Sequence, residues 1–211
     1  MNTKNIMKFK NFENQSSFMA NVDILEKNSK SQIEEMFIRS QHNKKQYYFE
    51  WLDFKTKVKP YYDIDIWVEK IKVDDMIKFA QSIHDEVYNI LNQLYPESTI
   101  AISSSHGGKK GWKKSNMGKN GYAVSFHFVV NDYECTVEEL RNFNETKGLN
   151  DIKFKNEMKL ITDEKELKMF DNSVYRDGGN MRFLFSHKPS DVRQKIPVNY
   201  KENYTLTKHV G

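Results

Sequence analysis

The 211 residues make up 25.1 kDa, with 29% charged and 13% aromatic side chains; that fits one domain, or two small subdomains sharing a core, and is too aromatic for a disordered chain. A net charge of +4 permits a polyanionic partner without demanding one, and the lysines bunch between Lys109 and Lys119. Cys135 is the single cysteine, which excludes an intrachain disulfide and a cysteine-rich zinc site and suits a reducing compartment. No apolar run is long enough to cross a bilayer and the opening MNTKNIMKFKNF lacks a signal-peptide core, so a soluble, intracellular protein is expected.

The first forty residues read as a short strand or arm followed by helical pieces, with Phe18, Val22, Ile24, Leu25, Ile33, Met36 and Phe37 as apolar positions. The aromatic-rich stretch over 45–56 reads as a strand. Residues 1–59 are therefore expected to form an N-terminal α/β extension packing on a core over 60–190. In PYYDIDIWV, Tyr62, Ile64, Ile66 and Val68 point one way, and Tyr61, Asp63, Asp65 and Trp67 the other. A helix follows over 73–95, its stripe running through Met76, Ala80, Ile83, Val87, Ile90, Leu91 and Leu94 before Pro96. STIAISSS is a second strand. GYAVSFHFVV is a third, with Val124, Phe126, Phe128 and Val130 opposite Ala123, Ser125, His127 and Val129. Thr136 and Glu139 form a capping box that opens a second helix. NMRFLFS is the last clear strand, Met181, Phe183 and Phe185 facing away from Arg182, Leu184 and Ser186. Residues 191–211 read as a polar tail, which in a longer parent would lead to a further domain.

Strand, helix, strand, strand, helix, strand is an α+β order, the ferredoxin-like arrangement of RNA-recognition domains. It makes the first and third strands central neighbours with both helices on one face. Ile64, Ile66, Phe126 and Phe128 must then bury against the helices, while Asp63, Asp65, Ser125 and His127 share the opposite, open face.

Residues i and i+2 of a strand lie about 6.5–7 Å apart and face the same way, so two carboxylates there can converge on one hard divalent cation. The flanks of Asp63 and Asp65 are apolar or aromatic, as in a buried strand, and two like charges there repel and call for a compensating cation. Ser125 and His127 can both donate to phosphate oxygens. The loop HGGKKGWKKSNMGKNG fails as a P-loop, because no Gly-Lys-Ser/Thr stands at the required spacing. Two readings of it stay open. It is either a solvated lysine loop or a nucleic-acid contact through Lys109, Lys110, Lys113 and Lys114, with Trp112 for stacking.

The set PYYDIDIW, YAVSFHFVV and FDNSVYRDGGNMRFLFSHK resembles the three motifs of the archaeo-eukaryotic primase superfamily, most closely its primase-polymerase branch and the primases of large DNA viruses and mobile elements. The resemblance spans residues 60–190. It implies a DNA primase or primase-polymerase, in which Asp63, Asp65 and Asp171 bind two Mg2+ or Mn2+ ions. Ser125 and His127 would hold the nucleotide triphosphate, and Arg182, Lys188 and Asn180 would contact nucleotide or template. A basic residue often precedes the Ser-x-His motif in that family; here Ala123 and Val124 stand there. The implied partners are a single-stranded DNA template, NTPs or dNTPs, and a replicative helicase, in the cytoplasm, nucleus or viral factory of a host. Two other readings share the topology. One is a noncatalytic RNA-recognition-like module, whose sheet the central aspartates would make repellent to phosphate. The other is a nicking endonuclease, which needs a histidine pair and a nucleophilic tyrosine such as Tyr175 or Tyr133.

Overall fold

The computed structural model describes residues 6–11, 17–21, 48–69, 73–111, 117–155, 166–188 and 193–199. The fold is mixed α+β. Its central antiparallel sheet contains β5 (Tyr61–Glu69), β6 (Ile100–Ser104), β7 (Gly107–Lys110), β8 (Asn120–Val130) and β13 (Ile196–Pro197). The strand order is β13-β6-β8-β5, with β7 carrying on from β6 along the same edge of β8. The first and third expected strands are thus neighbours, paired from Tyr61↔Val129 to Glu69↔Gly121. A second sheet runs β12-β3-β1-β2, from β12 (Gly179–Arg182), β3 (Tyr48–Leu52), β1 (Ile6–Asn11) and β2 (Ser17–Asn21). Two small ladders pair β4 (Lys57–Val58) with β9 (Cys135–Thr136), and β10 (Lys153–Lys155) with β11 (Glu166–Lys168).

Helix α1 spans Val73–Leu94, with Asp74 and Asp75 in the first turn, where the helix dipole favours negative charge. Its buried stripe, Ala80, Ile83, Val87 and Leu91, is the expected one, joined by Phe79, which meets Phe154 edge-on at 5.7 Å. Helix α2 spans Val137–Thr146 behind the expected capping box: Thr136 Oγ1 accepts from the Glu139 N–H, and the Glu139 carboxylate from the Thr136 N–H. Ile64, Ile66, Val124, Phe126 and Phe128 share one core with residues of both helices, and His84 of α1 lies against the Phe126 and Phe128 rings.

The fourth expected strand, over 180–186, holds only in its first half and pairs elsewhere than expected. Strand β12 stops at Arg182 because Leu184 and Phe185 turn the chain, Phe185 adopting a left-handed φ of 59°. It pairs with β3, Met181 against Glu50, rather than beside β5. The free edge of β5 instead receives one main-chain bond, from the Asp171 N–H to the Asp63 carbonyl at 2.8 Å. The strand expected over 45–56 is the shorter β3, and Thr56 closes a turn back to Asp53. The helical pieces expected before residue 45 fall largely on 22–47, outside the described residues.

Candidate active site

Strand pairing places Asp63 directly across from His127, and Asp65 across from Ser125. Alternation puts all four on the face away from α1. That face is not open, which corrects the expectation: the two aspartate side chains are each 15% exposed, and Ser125 and His127 are buried. The cover is basic and comes from the end of β12 and the chain after it. Arg182 donates through Nη1 to the Arg193 carbonyl (2.8 Å), and Arg193 through Nη1 to the Ser105 carbonyl (3.0 Å). The Arg193 stem lies over Gly107, where a Cβ would come within 2.8 Å of it. Lys195, fully buried, reaches Ser125 Oγ with Nζ at 3.4 Å.

His127 Nε2 lies 3.3 Å from Asp63 Oδ1. Burial, and then the Lys195 ammonium, lower this imidazole to about 3 against the pull of Asp63, so at neutral pH it is uncharged and donates its Nε2–H. Burial alone would raise the Asp63 carboxyl, but the His127 N–H and the Lys195 and Lys188 ammoniums outweigh it and hold the group below the usual carboxylate range. Asp63 is therefore ionised. Asp65 Oδ2 lies 3.6 Å from Lys109 Nζ, while its Oδ1 is buried with no hydrogen-bond partner among the described residues. A buried carboxylate oxygen left without a partner is costly, and an oxygen-seeking cation would satisfy it. Asp65 fits the role of holding Mg2+ or Mn2+ on that ground, and Asp63 as the ionised carboxylate two residues before it on the same face.

The other expected residues fare differently. Asp171 sits beside Asp63 by main chain, but its carboxylate accepts from the Ser173 N–H at 2.9 Å and caps a short 3-10 turn. Among the described residues no group of three His, Cys, Asp or Glu side chains is arranged to hold a metal. Arg182 lies within electrostatic reach of His127, and Lys188 of Asp63. Asn180 Nδ2 turns back to the Gly178 carbonyl at 3.2 Å, and its Oδ1 is buried without a hydrogen bond. Lys109 faces Asp65 rather than the surface, and Lys110 is exposed. Trp67 fixes this stretch: its indole lies over Gly121, where no side chain would fit, and Nε1 donates to the Lys109 carbonyl at 2.8 Å. Trp112, Lys113 and Lys114 lie outside the described residues.

Three participants escaped the sequence reading. Lys195 had no signal, standing in an unexceptional Gln-Lys-Ile-Pro. His106 accepts the Ser125 N–H on Nδ1 at 3.1 Å, and burial with Lys195 and Arg193 holds it neutral, near 4. Glu50, also buried, lines a cavity of about 10 Å3 with Ser103, His127 and Arg182, room for about one water. Its signal was available, an acid inside the aromatic run YYFEWL, the same anomaly that marks Asp63.

No protein-family model and no curated protein matches this chain. Among the described residues no helix is long and apolar enough to cross a membrane.

Proposed function

We propose that the chain is a template-dependent nucleotidyltransferase of the archaeo-eukaryotic primase kind, a DNA primase or primase-polymerase that extends a primer 3′-hydroxyl or a first nucleotide with NTPs or dNTPs. The observation that carries this reading is the ionised Asp63 and the half-satisfied Asp65 on one strand, facing His127 and Ser125 on the next, beneath a cover of Lys195, Arg182 and Lys188. Such a site offers oxygens to a cation and N–H donors to an anion, which is what a metal-chelated polyphosphate requires.

In the reaction the 3′-hydroxyl oxygen forms a bond to the nucleotide α-phosphorus. The bond from that phosphorus to the β-phosphate bridging oxygen breaks, pyrophosphate leaves, and the hydroxyl proton passes to solvent. Asp63 and Asp65 would hold Mg2+ or Mn2+, which would supply charge stabilisation at the attacking and leaving oxygens. His127 holds the Asp63 carboxylate in place through its N–H. The Ser125 hydroxyl accepts from Lys195 and so keeps its own proton to donate to a phosphate oxygen. Arg182 and Lys188 balance the phosphate charge. The nicking reading loses Tyr175 as its nucleophile, because that hydroxyl is buried and donates to the Tyr61 carbonyl at 2.6 Å.

The test is incubation with single-stranded DNA template, labelled NTPs or dNTPs, and Mg2+ or Mn2+, with products resolved by length. Wild type should give template-dependent products and report initiation, extension and sugar preference together. Asp63→Asn and Asp65→Asn should give none while keeping the fold. A wild-type protein that incorporates nothing on primed and unprimed templates with either metal would remove the reading.

A further inference from the structure

Among the described residues Lys195 is the most deeply buried charged side chain. It is 0% exposed, and it enters the site on a segment stitched by the Phe185 N–H to its carbonyl (2.7 Å) and by its own N–H to the Ser186 carbonyl (3.1 Å). Next to it, Ile196 and Pro197 pair with Ser104 and Ser103 of β6, so the backbone is held on both sides. An ammonium carries three donors, and burying one is costly unless they are used. Among the described residues its Nζ makes one hydrogen bond, the long 3.4 Å contact to Ser125 Oγ, and no carboxylate is in ion-pair contact with it. Burial, and next Arg182, lower its pKa well below the ordinary lysine value, while Asp63 and Asp65 pull against them. A fully buried amine with donors left over, bonded to Ser125 directly across from the unpartnered carboxylate oxygen of Asp65, marks a site missing a ligand of both signs.

We propose that Lys195 is a phosphate-binding residue of this site: internal counter-ion to Asp63 and Asp65 while no metal is bound, it passes to the phosphate oxygens of the nucleotide when the metal–nucleotide pair enters. The proposal rests on the nucleotidyl-transfer reading and extends it to a residue outside the three motifs. An ammonium suits the exchange, because it is a compact charge on a flexible stem whose donors turn without moving the backbone.

The experiment compares wild type with Lys195→Met and with Lys195→Gln, which keeps the length and a donor for Ser125. Mn2+ affinity is measured without nucleotide, and nucleotide KM and kcat with template. Both variants should bind Mn2+ more tightly than wild type, because a competing cation is gone. The nucleotide KM should rise about tenfold or more with a smaller change in kcat, the pattern of a lost ground-state phosphate contact. A KM within about twofold of wild type overturns the phosphate role, and unchanged Mn2+ affinity overturns the counter-ion role. Collapse of both variants in Mn2+ as well as in chelator also overturns the proposal, which has the metal taking over the lysine's charge. If wild type binds Mn2+ but incorporates nothing, the nucleotidyl-transfer reading fails on its own. Lys195 is then decided by inorganic triphosphate with Mn2+: weaker binding in Lys195→Met upholds its role, and equal binding ends it.

Discussion

Strands β5 and β8 build two unlike surfaces from alternate residues of the same chain. Toward the helices, Ile64, Ile66, Phe126 and Phe128 lie in one apolar core with residues of α1. On the other side the same strands carry Asp63, Asp65, Ser125 and His127, and the groups facing them are ionic, underbonded or both. The first surface answers to volume and apolar area. The second answers to charge and to hydrogen-bond geometry, and it keeps unsatisfied groups at a cost in stability that the first surface covers. A period of two lets one pair of strands serve both ends, provided the register never slips.

The sharpest way to break this contrast is to damage the helix side. Phe128→Ala should lower unfolding free energy by about 3–5 kcal/mol, read from denaturant melts, because the ring is wholly buried and its neighbours cannot close the cavity. A loss under about 1 kcal/mol would mean the packed surface is not what holds the sheet together.

Acid should undermine the other surface. His127 and His106 are kept neutral in the fold, near 3 and 4, whereas in the unfolded chain each takes up a proton near its ordinary value of 6.5. The unfolded state thus binds more protons between those limits, so the stability these groups leave intact above pH 6.5 is lost as pH falls toward 4 and 3. Melting temperature should decline over that window, and less so in His127→Gln and His106→Gln. Parallel pH profiles in wild type and both variants would show that neither imidazole is held in the neutral form.

The smallest expected effect separates two adjacent lysines. Lys110→Gln should lower the log–log salt slope for single-stranded DNA by about 0.7, one phosphate contact, and Lys109→Gln should leave it unchanged because that ammonium faces Asp65. The reverse result would put Lys109 on the template and Lys110 in the site.

What could be read from residues alone was local. Alternation along β5 and β8, the three-and-four stepping of α1 and the Thr136–Glu139 box each lie inside one element, and the pairing of Asp63 with His127 then follows from topology. The end of β12 was illegible because Met181, Phe183 and Phe185 alternate like a strand, and nothing in Leu-Phe announces a left-handed phenylalanine. A divalent cation was the partner expected for Asp63 and Asp65. Two lysines lie on that face as well, Lys109 of β7 against Asp65 and Lys195, 70 residues beyond Ser125, against the Ser125 hydroxyl, and so distant a partner leaves no mark on a short window.

The pairing of β3 with β12 bears on how the chain is made. Strand β3 leaves the ribosome early, and one of its edges has no partner until β12 follows, after the whole of β5 to β11 has been synthesised. An edge left bare for that long is a template for pairing with a neighbouring nascent chain. Glu50 sits in the middle of it, an inward acid that a second copy could bury only against its own charge. The same side chain that ends beside Arg182 in the finished molecule guards the strand while it waits.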